Sequence, residues 1–477
     1  MQTFNSNSAT FAAQSSLFYY FSALILFCIG LAVVLEQWVL ACLPLFPLGI
    51  ALTLLDYKKI YLLLWAAVPI STEITLPGGF GTDLPVEPLI VGLMAIYFIV
   101  LISRPDTLKL SFFANIISIL LIIHLLWTVL ATIFAANLII SSKFLLAKLW
   151  YVATFYFLTA YIVRSSKDFQ QILCWFFIPF LLAVLKVILH HYTLSFGFKE
   201  INTATSPFFR NHVNYAAIIA LTLPFMVFMR HWYKKFTVAW LLVLAALLIL
   251  FVALIFAYTR AAYVALILAF GAYFVVRFRL VQWVLTVATV ILVSVFVYLY
   301  YNNKFMDFAP TERTIAHTDL NDIVAATYKL EDVSTMERYY RWIASVRMAN
   351  EDIYTGFGGG SFYHNYKFYT LNRFQTYVSD NPEQSGVHNY YLMLLSEQGL
   401  LGMLIFILLN FATLIYGQRL YHTLPTTLLK NIAMSCLLSQ VVILAFLLMN
   451  DMVETDKVGS FFFFNMAILA SISRWKQ

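Results

Sequence analysis

The chain is built from apolar runs, mostly 16 to 24 residues long and nearly free of charge, joined by short polar links. A helix rises about 1.5 Å per residue, so such runs match a hydrocarbon core about 30 Å thick. Lipid offers no hydrogen-bond partner to an open backbone, so runs of this kind fold as helices that satisfy their own N–H and C=O groups. The weaker alternating pattern of a membrane β-barrel is absent from the sequence. Composition agrees, with 11% of residues charged against roughly 25% in a soluble domain. The expected fold is an all-α polytopic membrane protein.

Hydropathy places spans near 17–35, 38–55, 59–71, 89–103, 112–134, 144–163, 169–189, 215–229, 236–258, 261–276, 280–301, 389–416, 431–449 and 459–473. The third is short and open to a re-entrant reading. Short cytoplasmic loops collect Lys and Arg. With the N-terminus inside, every inside link then carries at least two basic residues, from Lys58-Lys59 and Arg104 to Lys109 through Arg419 to Lys430 and the Arg474/Lys476 tail. Both termini are therefore expected in the cytoplasm. Segments 72–88, 190–214, Thr259-Arg260, 302–388 and 450–458 are expected on the other face. No basic residue precedes the first run, so that span is expected to be retained rather than cleaved. The net charge of +7 is spread over these links and is a topology signal, with no nucleic-acid patch. The four cysteines lie in apolar runs and read as small buried hydrophobes, without zinc-ligand spacing.

The long outer stretch holds "STMERYYRWIASVRM", read as a helix in which Ser334 and Glu337 form a capping box and Arg338 and Arg341 share a face. "GFGGG" (356–360) reads as a flexible, close-approach loop. Arg210, in "SPFFRNHVNY", and Arg260, in "FAYTRAAYVA", sit at span ends on the outer face. Each alone is equally well explained by snorkelling to headgroups. Arg260 is the more telling, because its link is too short to be a solvated loop. The planar guanidinium suits bidentate phosphate contact, so Arg210, Arg260, Arg338 and Arg341 around one cavity would hold a diphosphate. Of the nine histidines, His388 stands out at the lip of a span, with Glu397 further along the same helix. It reads either as an interfacial residue fixing the helix end or as a general base acting on a hydroxyl. Glu397 reads either as its orienting partner or as a helix–helix hydrogen bond.

No Walker A loop, GxGxxG, Asp-x-Asp, HExxH or GxSxG is present, and the inside loops are too short to bind a nucleotide. Outward arginines with one base therefore point to a lipid-diphosphate donor, needing neither cofactor nor metal. Four blocks, "SPFFRNHVNYAAIIALTLP", "YTRAAYVALILAF", "ERYYRWIASVRM…GFGGGSF" and "HNYYLMLLSEQGLLG", in this order resemble the O-antigen ligase and O-antigen polymerase superfamily of bacterial inner-membrane glycosyltransferases. The resemblance covers residues 200–405 well, and the N-terminal half only through hydropathy and "PGGFGTDLPVEP". It implies about twelve spans, where hydropathy counts fourteen. It also implies a multi-pass protein with a periplasmic site, divided into helical region 1–301, periplasmic loop 302–388 and C-terminal helices 389–477. Arg210 and Arg260 match the arginines that grip undecaprenyl diphosphate, Arg338 matches the arginine of the "ER" block, and His388 matches the base. Arg341 is added from helical spacing, and His212 and Glu397 are taken as supporting. The implied partners are the lipid-linked glycan donor, a lipid A–core acceptor and membrane lipids. Polymerase and protein O-oligosaccharyltransferase remain open within the family. A lipid-linked sugar transporter is the alternative from another class, and it should show midplane charges and paired repeats.

Overall fold

The computed structural model describes residues 56–76, 80–103, 110–308, 333–376, 379–382 and 384–475, with Ala23, Phe27 and Cys28. Those three positions apart, the expected spans at 17–35 and 38–55 lie outside the described residues, as do the link 104–109 and Cys42. The chain divides into two compact units, Met1–Leu63 and Leu64–Gln477, and the second holds every element below save the start of α1.

Helix α1 (Tyr57–Ala67) precedes a hairpin of β1 (Thr72–Leu76) and β2 (Phe80–Leu84), in which Thr72 stands opposite Leu84. There follow α2 (Val86–Ser103), α3 (Ile116–Ile133), α4 (Leu138–Ile162), α5 (Ser166–Thr193), α6 (His212–Met229), α7 (Val238–Ile255), α8 (Arg260–Arg277) and α9 (Val281–Tyr300). The outer stretch carries α10 (Val333–Glu351), and α11 (Tyr390–Thr423), α12 (Thr427–Leu447) and α13 (Asp456–Ser471) complete the chain. Ten helices among the described residues are long and apolar enough to cross a membrane: α2 to α9, α11 and α12. The protein is an all-α polytopic membrane protein. Every expected span from residue 59 onward has a helix in its place. Helix α1, at 11 residues and about 16 Å, is shorter than the hydrocarbon core.

Local chemistry sets where the helices begin. Asn115, Asn137, Ser165, Asn211, Thr237, Asn389 and Thr426 each precede a span, and each side chain accepts from a first-turn N–H. Such caps pair backbone donors that lie at the boundary between lipid and water. The Ser334 side chain of the expected capping box lies outside the described residues. Glu337 Oε1 accepts from the hydroxyls of Thr376 and Ser379, which ties α10 to the chain ahead of α11.

All sixteen residues of α13 are buried, which makes it the central helix of its unit. Lipid tails are as apolar as leucine, so packing and interhelical hydrogen bonds hold such a bundle together. Phe461 and Phe464 of α13 meet Trp65 edge-on at 5.1 and 4.7 Å between ring centroids, with Phe176 of α5 against Phe461 at 4.9 Å. A polar ladder crosses three helices: Asn465 Nδ2 donates to Ser439 Oγ (3.1 Å), and Gln440 Nε2 donates to Asn410 Oδ1 (3.3 Å). Each rung is worth about 0.6 kcal/mol in a membrane.

The links separate into two sets. At one end, Arg210 faces Glu73, Tyr258 OH donates to Phe196 O, Ala136 N–H donates to Phe357 O, and His388 N–H meets Asp451. At the other, Phe169 packs on Trp232 and Trp475, and His422 Nε2 lies 3.0 Å from Val276 O. The described parts of the five segments expected on one face thus gather at one end.

Helix α11 is broken at Gly399 (φ 70°, ψ −178°). A break at membrane depth is tolerated only where protein satisfies the freed backbone groups. Here the glycine loop does so: Phe357 N–H donates to Ser396 O (3.0 Å) and Gly358 N–H to Glu397 O (2.8 Å). Trp127 Nε1 donates to Gln398 O (2.8 Å), and Leu400 N–H to Ile353 O (2.8 Å). The loop is therefore a pinned close approach rather than a flexible link. A Cβ on Gly358 (φ 92°) would lie 2.2 Å from that of Ala135.

Candidate active site

Three span N-termini, those of α6, α8 and α11, lie at the end that carries the long stretch, and each brings expected site residues with it. A helix N-terminus carries a partial positive charge and unpaired N–H groups, so this end favours an anion before any side chain is counted.

His388 stands two residues before α11 in a left-handed turn (φ 57°), a region that few non-glycine residues adopt. Asp451, from the link between α12 and α13, holds the turn: its Oδ2 accepts the His388 N–H at 2.9 Å. Gly386 permits the approach, since a Cβ there would lie 2.7 Å from the same oxygen. Asn389 completes the turn by capping Leu392 and donating from Nδ2 to Leu448 O. Burial pushes the imidazole pKa down to about 3, helped by the charges of Arg341 and then Arg338. Its ring is therefore neutral at pH 7, as a base requires. Burial pushes the Asp451 carboxyl up to about 6, while the N–H groups of His388 and Asn389 and the charge of Arg341 pull the other way.

Arg341 is buried in α10 with Nη2 3.5 Å from Glu337 Oε2, and its Nε has no hydrogen-bond partner among the described residues. A buried guanidinium with an unmet donor is costly and suits an anionic ligand. Arg338, one turn earlier and half-buried, is close enough to act electrostatically on both His388 and His212. His212 opens α6 with Nδ1 2.8 Å from Asn202 Oδ1, and its carbonyl accepts from the Thr259 hydroxyl at 3.4 Å. Arg260 follows Thr259 as the first residue of α8, and Arg210 stands two residues before His212. Arg210 is exposed, with Nε 3.7 Å from Glu73 Oε2, an ion pair worth at most about 1 kcal/mol and easily exchanged. The structure thus gathers His388, Arg338, Arg341 and His212 and puts Arg260 and Arg210 at the rim beside His212.

Glu397 takes no part in orienting His388. Its carboxylate accepts from the N–H groups of Gly360 (2.8 Å) and Phe362 (3.0 Å), so it anchors the glycine loop to α11. The residue that holds His388 in place is Asp451, on the outer link between α12 and α13. Its signal was available in "NDMVETDKVG", where four charged residues crowd a link between two apolar runs. Three residues on, Glu454 Oε1 lies 3.2 Å from buried Lys148 Nζ and accepts from Tyr390 OH at 2.6 Å. That pair ties α4 to the link ahead of α13, and Tyr390 joins the start of α11 to both; breaking a buried pair of this kind costs about 3–5 kcal/mol.

Residues 245–407, about a third of the chain, match a family model described as O-antigen ligase. No curated protein matches the chain. The matched segment contains Arg260, Arg338, Arg341, His388 and Glu397, whereas Arg210, His212 and Asp451 flank it. This segment, which holds most of the gathered side chains, is what ties the chain by similarity to the O-antigen ligase family.

Proposed function

We propose that the protein is an O-antigen ligase, a glycosyltransferase that moves a glycan from undecaprenyl diphosphate to a sugar hydroxyl of lipid A–core at the periplasmic face of the bacterial inner membrane. The observation that carries this reading is a neutral histidine locked in a strained turn beside two arginines, one of them buried with an unmet donor. The donor enters from the lipid, and Arg338, Arg341, Arg260 and Arg210 hold its diphosphate. His388 takes the proton of the acceptor hydroxyl. The acceptor oxygen then bonds to the anomeric carbon, whose bond to the diphosphate oxygen breaks with inversion. The arginines stabilise the charge that grows on the departing diphosphate, and groups already in place do this without reorganisation. The diphosphate also offsets the positive charge pressing on His388, so donor binding strengthens the base.

That coupling has a measurable sign. The depressed pKa keeps His388 unprotonated until the pH falls far below 6.5. Arg341→Gln removes part of the depression, so protonation begins at higher pH and the acid limb of kcat/KM moves upward. The limb of kcat, which reports the donor complex, is expected above that of kcat/KM in the wild type. An acid limb that stays in place in Arg341→Gln contradicts the coupling.

A lipopolysaccharide gel on a deletion strain tests the reading itself. Complementation by the wild type should restore the ladder, and the deletion should lack every ladder band while retaining long polymer on undecaprenyl diphosphate. Core bearing a single repeat would instead assign a polymerase, and an unchanged ladder would assign another acceptor or a transporter.

A further inference from the structure

The outer stretch between α10 and α11 exposes large apolar side chains where a solvated loop has little use for them. Tyr354 is 73% and Phe368 84% exposed, and Ile353 is exposed beside them. These residues belong to one surface. Tyr369 donates to Glu351 Oε2 and packs on Phe357 at 5.7 Å, while Arg347 donates to the carbonyls of Tyr369 and Thr370.

Two hydrogen bonds fix how deep that surface lies. Trp127 stands six residues inside the outer end of α3, about 9 Å along the axis. Its indole donates to Gln398 O, and two residues on Leu400 N–H donates to Ile353 O. Ile353 is therefore level with the inside of a membrane-spanning helix. Phe357, whose carbonyl accepts from Ala136 N–H just past the end of α3, is level with its rim. Phe134, Ile139 and Leu401 are exposed within three residues of Ala136 or Leu400, the two positions hydrogen-bonded to this stretch. Lys367 and Arg373 are exposed on either side of Phe368 in sequence, as cations stand beside aromatic residues at a headgroup boundary.

We propose that residues 351–369 form a ledge submerged in the lipid leaflet on the His388 side, with Ile353 and Tyr354 among the acyl chains and Phe368 at the headgroups. The apolar belt of α3, α4 and α11 thus continues onto the loop, and its occupant is the bilayer lipid itself. A lipid diffusing in that leaflet meets the glycine loop and α11 without leaving the membrane.

Spin labelling of the full chain in proteoliposomes tests this. With Cys28, Cys42, Cys174 and Cys436 replaced by serine, single nitroxides are placed through Tyr354→Cys and Phe368→Cys. Leu408→Cys, exposed in the middle of α11, serves as the lipid reference, and Asp380→Cys, exposed in the loop, as the aqueous one. Relaxation by oxygen, which concentrates in lipid, is compared with relaxation by a water-soluble nickel chelate. The expected result is a Tyr354→Cys label that matches Leu408→Cys, with Phe368→Cys between the two references. Both labels matching Asp380→Cys would overturn the ledge, and so would shielding of both from both relaxants, which a bound protein would cause. Both substituted side chains are exposed, so folding is not at stake; elution as a single species checks it.

Discussion

His388→Ala is expected to lower the rate of glycan transfer by about 10²–10⁴-fold, the usual share of a positioned general base. The expectation rests on geometry as much as on residue type. A histidine free to choose its turn would leave the left-handed region, at a saving of about 1–3 kcal/mol. Asp451 holds it there through the backbone N–H, leaving the ring available to an acceptor. Asp451→Asn keeps an oxygen in place and should cost much less activity than Asp451→Ala, which frees the turn. The check is initial rate with purified donor and acceptor for all three variants. Equal losses for Asp451→Asn and Asp451→Ala would assign Asp451 a chemical role in place of a positioning one.

Gly399→Ala is expected to destabilise the fold rather than the chemistry alone. At φ 70° and ψ −178° the residue occupies a region essentially reserved for glycine. A Cβ there would sit 2.1 Å from Tyr354 O, a backbone atom itself held by the pairing of Leu400 N–H with Ile353 O. Strain of about 1–3 kcal/mol therefore comes with loss of the hydrogen bonds that close the helix break. Thermal unfolding in detergent should show a fall in Tm of several degrees, accompanied by faster proteolysis between α10 and α11. Gly271→Ala, where a Cβ meets nothing within 4 Å, is the matched control and should leave Tm unchanged. A Tm for Gly399→Ala equal to that control would mean that α11 can be continuous.

The spans were legible because length and hydropathy are local properties. The outer arginines were legible for the same reason: a guanidinium at a span end is conspicuous against apolar neighbours. What escaped depends on partners far along the chain. Asp451 meets His388 across 63 residues, and Lys148 meets Glu454 across more than 300. Glu397 follows His388 into the same helix and was open to two readings, its orienting partner or a helix–helix hydrogen bond, yet nine residues separate the two by about 13 Å. Its true partners are N–H groups of the glycine loop, nearly 40 residues upstream. The broken helix was hidden likewise. "SEQGLLG" carries no mark of a break, and only the arrival of "GFGGG" alongside makes one affordable. Glu337 likewise binds Thr376 and Ser379, about 40 residues downstream, which its place in the first turn of α10 does not announce.

The division of labour between base and anion grip is tested most directly by donor binding to His388→Ala and Arg338→Gln, measured side by side in detergent with a lipid-linked diphosphate glycan. His388→Ala should bind as the wild type does. Arg338→Gln should bind about tenfold or more weakly, since a charge-assisted hydrogen bond is worth about 1.5–3 kcal/mol. Loss of binding in His388→Ala equal to that in Arg338→Gln would contradict the assignment and make His388 part of the scaffold that holds the donor.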